Sequence, residues 1–397
     1  MDLIYFGGVR GLLRKYISNG FDILWIIREC DYLESDSQIN ANKIIVSDLA
    51  IENITDLVEK HIKSKECKCV SYHDNYHDIA YSLSKNLGID CNIKTNANVL
   101  SKNKEISRKL SNDVFEKVVG YHNKGENSTF DNVKELKLPV ISKPLSGTGS
   151  RSVKISNNHE DLKKIFFESP NDTLFEEFIN GQEFSIDTIS INGVHKVLMI
   201  AEKSLFKKTF VEKSHLVGSK TSSQLWSLLE DKIIAYLNKI NHINGSSHIE
   251  VKISNNSIYF IECQLRIGGD YLWEAYKIIT GDCLIEILYK VDNEENFDIN
   301  TIKSTRESDL LVKIEFFSWH VYPSNFLFWS GLESGEYIDG VQSIFVTDNP
   351  NPCQFSVSSS QDRDLAVIIA NAKLEDIEHS MELVVKNIRP VVKFNFE

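Results

Sequence analysis

The chain is predicted to be α/β at its start and α+β through its centre, and three observations carry this. Over the first hundred residues, short apolar runs alternate with amphipathic stretches, the rhythm of a parallel sheet with helical crossovers. Further on, segments with period-two alternation meet at turns of Asn, Gly and Ser, as antiparallel strands do. The length, 397 residues, allows two or three domains. We divide it into an N-terminal parallel α/β unit over 1–100, a central domain over 101–304 and a C-terminal α+β region over 305–397.

Within the first unit, strands are expected at 2–6, 21–28, 43–47 and 68–72, and helices at 9–18, 54–63 and 75–87. The turn from Phe6 through Gly7 and Gly8 to Gly11 is close to a dinucleotide-binding loop, but Phe6 stands where the first glycine belongs. A tight strand-to-helix turn is the reading it supports. Cys67, Cys69, His73 and His77 invite a zinc reading, yet their spacing matches no usual structural site. The two histidines are expected to be helix caps and surface residues.

Composition narrows the partners. Forty-four basic against 56 acidic side chains give a net charge of −12, which argues against a nucleic-acid footprint. No basic leader opens the chain and no run of apolar residues is long enough to span a bilayer, so no membrane partner is expected and the location is read as cytoplasmic. Seven scattered cysteines fit free thiols in a reducing compartment. A homodimer is left open.

In the central domain, 101–110 reads as helix, with its lysines and Arg108 mostly on a solvated face, though one of them could reach into a cleft. The run 138–145 reads as a short strand delivering Lys143 into a loop of Ser146, Gly147, Thr148, Gly149 and Ser150. Such a loop either lays amides and hydroxyls along phosphates or is a flexible surface turn. It is not a P-loop, because the lysine precedes the glycines. The segment 173–187 reads strand, glycine turn, strand; it is either an extended hinge offering backbone to an adenine edge or an ordinary hairpin.

The most informative stretch is 248–270. An alternating segment holding Glu250 leads through a turn at 254–257 into Ile258-Tyr259-Phe260-Ile261, apolar on both faces. Glu262, Gln264 and Arg266 then share one face. Three polar side chains closing a buried strand are costly without a partner, and a divalent cation with a polyphosphate fits them. The two glutamates must then lie opposite each other. A two-residue turn at Asn255-Asn256 would pair Ile249 with Glu262 instead, whereas a three-residue or bulged turn pairs the glutamates, and the odd-length turn is the one expected.

Taken in order, Lys143 before its Gly/Ser loop, then Glu-Glu-Phe-Ile-Asn-Gly-Gln-Glu-Phe-Ser-Ile-Asp, then Glu250 and Glu262 ending in Glu-Cys-Gln-Leu-Arg, resemble the ATP-grasp superfamily of carboxylate ligases. His215, the entry Gly245 to Glu250 and Arg266 to Asp270 make it most similar to the L-amino-acid ligase branch, as does the tail from Ser358 to Arg363 followed by a strand and a helix over 374–388. The resemblance implies an ATP-grasp fold: a Rossmann-like N-terminal domain, a central ATP-binding domain with a lid over 146–152, and a C-terminal region completing the site. It implies ATP and Mg²⁺ as cofactors and small carboxylate and amine substrates, of amino-acid type, joined through an acyl-phosphate. Lys104 and Lys143 would contact phosphates, Glu176, Glu177, Phe178 and Ile179 would line the adenine hinge, and Glu183 would hold the ribose. Glu250, Glu262 and Gln264 would bind metal, the last standing where the family has asparagine. Lys143 and Arg266 would act in catalysis. Glu212, His215, Arg266, Gly268 and Gly269 would face substrate.

Overall fold

A computed structural model describes residues 2–62, 66–115, 120–145, 152–294, 296–318, 324–347, 357 and 359–394. The N-terminal unit is a five-stranded parallel sheet in the order β3-β2-β1-β4-β5, formed by β1 (Leu3–Phe6), β2 (Ile23–Arg28), β3 (Asn42–Val46), β4 (Lys68–Ser71) and β5 (Asp90–Cys91). Its strands are apolar on both faces because both are covered. Leu3, Tyr5 and Trp25 pack with Leu12 and Leu13 of α1 (Arg10–Ser18), whereas Ile4, Phe6 and Ile26 pack with Ile54 and Val58 of α2 (Ile51–Glu59) and Leu83 of α3 (Asp74–Leu87). The glycine turn after β1 serves this core, since the Gly7 carbonyl accepts the buried Trp25 indole at 2.8 Å. His73 does cap α3, its ring accepting the Asn75 amide at 3.3 Å. His77 departs from the surface position expected of it: it lies inside α3's buried face, 3 % exposed.

The single helix expected from residue 101 is two, α4 (Ala97–Lys102) and α5 (Lys104–Ser111), broken at Asn103, whose side-chain oxygen caps α5 by accepting the Glu105 and Ile106 amides. A four-stranded antiparallel sheet follows in the order β6-β9-β7-β8, from β6 (Tyr121–Lys124), β7 (Val140–Pro144), β8 (Lys154–Ser156) and β9 (Thr173–Glu177). Helix α6 (His159–Glu168) covers it through Leu162 and Phe166.

The largest layer is an eight-stranded antiparallel sheet, β14-β13-β10-β11-β12-β15-β18-β17. Its strands are β10 (Gln182–Ile191), β11 (Val194–Leu205), β12 (Glu212–Val217), β13 (Gly245–Ser254), β14 (Ser257–Gln264), β15 (Leu311–Phe317), β17 (Val341–Val346) and β18 (Leu365–Asn371). The long helix α7 (Lys220–Lys239) lays Trp226, Leu229, Ile233 and Tyr236 against Phe184, Ile186, Ile249 and Val251, so one face near β13 is apolar and the other is left for polar residues. Helices α8 (Leu272–Thr280) and α9 (Leu284–Asn293) fill the space between this sheet and the N-terminal unit. A two-stranded ribbon of β16 (Ser324–Ser330) and β19 (Arg389–Phe394), with α10 (Leu332–Glu336) and α11 (Leu374–Asn387), completes the chain. Of the strands after residue 305, β15, β17 and β18 thus continue the central sheet. Among the described residues no helix is long and apolar enough to cross a membrane.

Two local features differ from the sequence reading. Strands β9 and β10 are not a hairpin; they belong to different sheets, and residues 178–181 cross between them. The turn joining β13 to β14 is the two-residue one, with Asn255 and Asn256 both at positive φ, yet Glu250 still faces Glu262. The register shifts inside the ladder instead, between Glu250 and Val251, leaving Ile261 as the extra residue.

The crossing at Gly181 is tight: a Cβ there would stand 2.3 Å from the Ile253 carbonyl oxygen. Gly181→Ala is expected to lower stability by about 1–3 kcal/mol, read as a fall in the urea midpoint. An unchanged midpoint would show that the crossing has room to yield.

Candidate active site

The polar face of the large sheet is ordered by its register. Glu250 of β13 stands opposite Glu262 of β14, and His248 opposite both Gln264 and Asp187. Glu183 of β10 lies between Lys252 and Lys203, and Lys203 faces His215. Lys203 is 5 % exposed and pairs with Glu250 at 2.8 Å, Glu212 at 3.2 Å and Glu183 at 3.8 Å. Burial disfavours its charge, but those three carboxylates outweigh burial and raise its pKa well above the ordinary lysine value. His248 follows the same logic: burial opposes protonation, while Asp187 at 3.2 Å and Glu250 at 3.5 Å raise the ring to about 9. Glu250 is pushed up by burial, yet Lys203 and His248 hold it far below the usual carboxylate range. Both of those contacts use its Oε1.

A second group reaches in from the four-stranded sheet. Lys143 of β7 is ion-paired with Glu176 of β9, and Arg108 of α5 meets the same carboxylate from the other side at 2.9–3.3 Å. Arg108 also donates to the Phe260 and Ile261 carbonyls at 2.8 and 2.6 Å, which places it across the bulge in β14. It is 2 % exposed, not solvated as its polar neighbours suggest. Burial raises the Glu176 pKa, but Arg108 and Lys143 outweigh it and bring it to about 2. Lys104, 3.8 Å from Glu262, is lowered by burial, which that carboxylate offsets only in part.

Arg266 lies at the end of this edge. It donates to Gln264 Oε1 and to the Ile267 carbonyl and stands 3.8 Å from Asp74. Gln264 in turn donates to Glu262 at 2.6 Å. Gly268 comes next because nothing larger fits: a Cβ would meet Asp187 Oδ1 at 2.4 Å, and its amide donates to that atom at 3.0 Å. Asp270 then takes a bidentate contact from Arg363 at 2.9 and 2.6 Å and faces His215 at 3.0 Å. Arg363 is stacked 3.8 Å over Phe316, so the C-terminal region closes this end.

One cavity of about 350 Å³ is lined by Lys104, Lys143, Glu176, Glu177, Phe178, Ile179, Glu183, Glu212, His215, Glu250, Glu262, Gln264, Arg266 and Gly269. Gly268 is not among its lining residues. Ser146, Gly147, Thr148, Gly149 and Ser150 lie outside the described residues, as do Trp319 and His320. Within the hinge, Glu176 turns inward to Arg108 and Lys143, while the Ile179 carbonyl accepts from Lys252 at 3.3 Å and Phe178 lies under that ammonium at 4.6 Å. The sequence reading missed Arg108, Lys203, Lys252, His248 and Asp270. For Lys203 a signal existed, a charge closing an apolar strand, the same one that singled out Glu262.

The donor set suits a hard cation. Glu250 and Glu262 present carboxylates side by side, with the Gln264 amide donating to Glu262 and accepting from Arg266 through its oxygen. Among the described residues no group of three or more His, Cys, Asp or Glu forms a ready-made metal cage, so phosphate oxygens and water would supply the remaining ligands.

Residues 136–274 match the model of the ATP-grasp domain. The whole fold superposes on an L-amino acid ligase from Bacillus licheniformis with a TM-score of 0.79, over 99 % of each chain at 15 % identity. A D-alanine–D-alanine ligase from Campylobacter jejuni is 28 % identical over 199 residues, 45 % of this chain and 55 % of the relative. The large chain of a carbamoyl phosphate synthase from Clostridium acetobutylicum is 23 % identical over 314 residues, 70 % of this chain and 29 % of the relative. The chain therefore spans about half or less of the length of these curated relatives.

Glu176→Gln removes the one carboxylate shared by two buried cations, and is expected to cost on the order of 3–5 kcal/mol. Because the folded carboxyl titrates near 2 rather than at its ordinary 4.5, its contribution is full above pH 4.5 and is lost as pH falls through about 2. Urea midpoints measured across that window should fall more steeply for the wild type than for the Gln variant. Equal slopes would take Glu176 out of the acid response.

Proposed function

We propose that the protein is an ATP-dependent carboxylate-amine ligase, joining small amino-acid-like substrates through an acyl-phosphate with release of ADP and phosphate. The observation that carries this is the convergence, in one cleft of an ATP-grasp domain, of the paired Glu250 and Glu262 with Lys104, Lys143 and Arg266. A free carboxylate resists attack by an amine because its leaving group would be oxide. Transfer of the γ-phosphoryl group to one of its oxygens replaces that with phosphate, after which the amine nitrogen bonds to the acyl carbon. The carbon–oxygen bond to phosphate then breaks and the nitrogen gives up its proton.

Such chemistry asks the protein chiefly for positioning and charge neutralisation. Lys104 and Lys143 offset the charge of the phosphates, Arg266 holds the transferred group, and Phe178 with the 178–179 backbone forms the adenine side. Magnesium, held by Glu250 and Glu262 with Gln264, would supply further neutralisation at the phosphate oxygens. Formation of a peptide bond specifically, the cytoplasmic location and the identity of both substrates belong to this proposal. The likeness to carbamoyl phosphate synthase over 70 % of the chain favours a second reading, in which bicarbonate is the carboxylate that is activated.

Phosphate and ADP release across pairs of L-amino acids, with mass detection of products, tests the proposal. ADP formed with bicarbonate alone selects the second reading, and nucleotide binding without turnover of any acceptor removes both. Arg266→Ala is expected to lower kcat on the order of a hundredfold or more. Near-normal turnover in that variant would exclude Arg266 from the transferred phosphate.

A further inference from the structure

The loop that leaves β14 runs from Arg266 to Tyr271 and ends in two consecutive non-glycine residues in the left-handed region, Asp270 at φ 56° and Tyr271 at φ 60°. Asparagine and aspartate visit that region now and then, but a tyrosine seldom does, because its Cβ crowds the following carbonyl. Backbone of this kind persists only where the surroundings over-determine it.

The surroundings here all come from the C-terminal half of the large sheet. The Asp270 carboxylate accepts from both ends of the Arg363 fork, at 2.9 and 2.6 Å, and faces His215 at 3.0 Å. Burial favours its neutral form, but His215 and Arg363 outweigh burial and hold the carboxyl far below the usual range, so the contact is ionic at any ordinary pH. The Tyr271 ring stacks on Phe345 of β17, with centroids 4.1 Å apart and planes 11° from parallel. Arg363, which stands just ahead of β18, is itself fixed over the Phe316 ring.

The other end of the loop is the surface on which Arg266 rests. Its guanidinium donates to the Ile267 carbonyl at 2.8 Å and would stand 3.9 Å from a Cβ on Gly269. The Gly269 carbonyl accepts the Leu272 amide at 3.0 Å, which closes the bend into α8. A change of φ at Asp270 or Tyr271 therefore moves the backbone under Arg266. Asp270 lines the cleft, whereas Arg363 is not among its lining residues.

We infer that Arg363 is a positioning residue for phosphoryl transfer: through Asp270 it holds the loop 266–271 in its left-handed bend and so sets Arg266 against the transferred group. The inference rests on the ligase reading and deepens it, because it gives the C-terminal region a part in the chemical step. Arg363 acts through the loop and touches neither nucleotide nor acceptor.

The test uses two double variants, Asp270→Gly with Arg363→Met and Asp270→Ala with Arg363→Met. Both lack the same two charges and they differ by one Cβ. Glycine takes positive φ freely, so the bend survives without its clamp, whereas alanine relaxes out of it. The Gly form is expected to turn over about tenfold faster than the Ala form, the value of holding one L-residue left-handed, with the same KM for ATP in both. Arg363→Met alone should lower kcat about tenfold or more and leave the KM for ATP unchanged. A substrate contact made by the Asp270 carboxylate would be lost equally in the two double variants, so equal kcat values overturn the inference, as does near-normal kcat in Arg363→Met. Should the double variants fail to fold, Tyr271→Gly against Tyr271→Ala makes the same comparison with the ion pair intact, and equal rates there overturn it too. Turnover by the wild type alongside any of those results leaves the ligase reading standing, whereas a wild type that turns over no acceptor removes the two together.

Discussion

The buried contact between Arg108 and Glu176 is the constraint on which the cleft depends. Glu176 belongs to the small sheet, Arg108 to the helix before it, and the guanidinium's remaining donors are spent on two carbonyls of the large sheet's edge strand. One side chain thereby fixes the separation of two sheets that share no backbone ladder. Charges removed from water to this degree need partners, and here each of the three guanidinium nitrogens donates to an acceptor. Lys143 is positioned as a by-product, since it leans on the same carboxylate.

The irregularity in β14 serves both halves of this arrangement. Without Ile261 as an extra residue, the tight Asn255-Asn256 turn would have set Glu250 against the wrong neighbour and sent the two carboxylates to opposite faces. With it, they share a face, and the Ile261 carbonyl, outside the regular ladder at the bulge, accepts from Arg108 at 2.6 Å. The acidic pair and the clamp between the sheets therefore have a common origin in one inserted residue.

Much of this could be read from residue order alone, because periodicity reports which face a side chain takes. The alternation of the first hundred residues and the polar closing of β14 both translated directly into sheet geometry. What stayed hidden depends on partners distant in sequence. Helix α5 turns Ser107, Arg108 and Ser111 inward, polar residues that a search for apolar stripes passes over. The pairing of Asp270 with Arg363 joins positions 93 apart, and nothing local announces it. Strands β9 and β10 look like a hairpin because sequence records extended backbone but not the sheet each strand joins. The turn argument counted residues in the loop and did not allow an insertion inside the ladder.

The unbroken run of strands from β14 to β17 makes the final third of the chain an unsuitable unit for exchange. A version truncated ahead of β15 would leave β12 as a bare edge, its amides and carbonyls free to recruit strands from other molecules, with aggregation as the outcome. Chimaeras that import a relative's C-terminal segment must preserve the β12 and β15 register, Ser214 against Glu315 through Val217 against Val312, or the grafted loop will carry its arginine to the wrong depth.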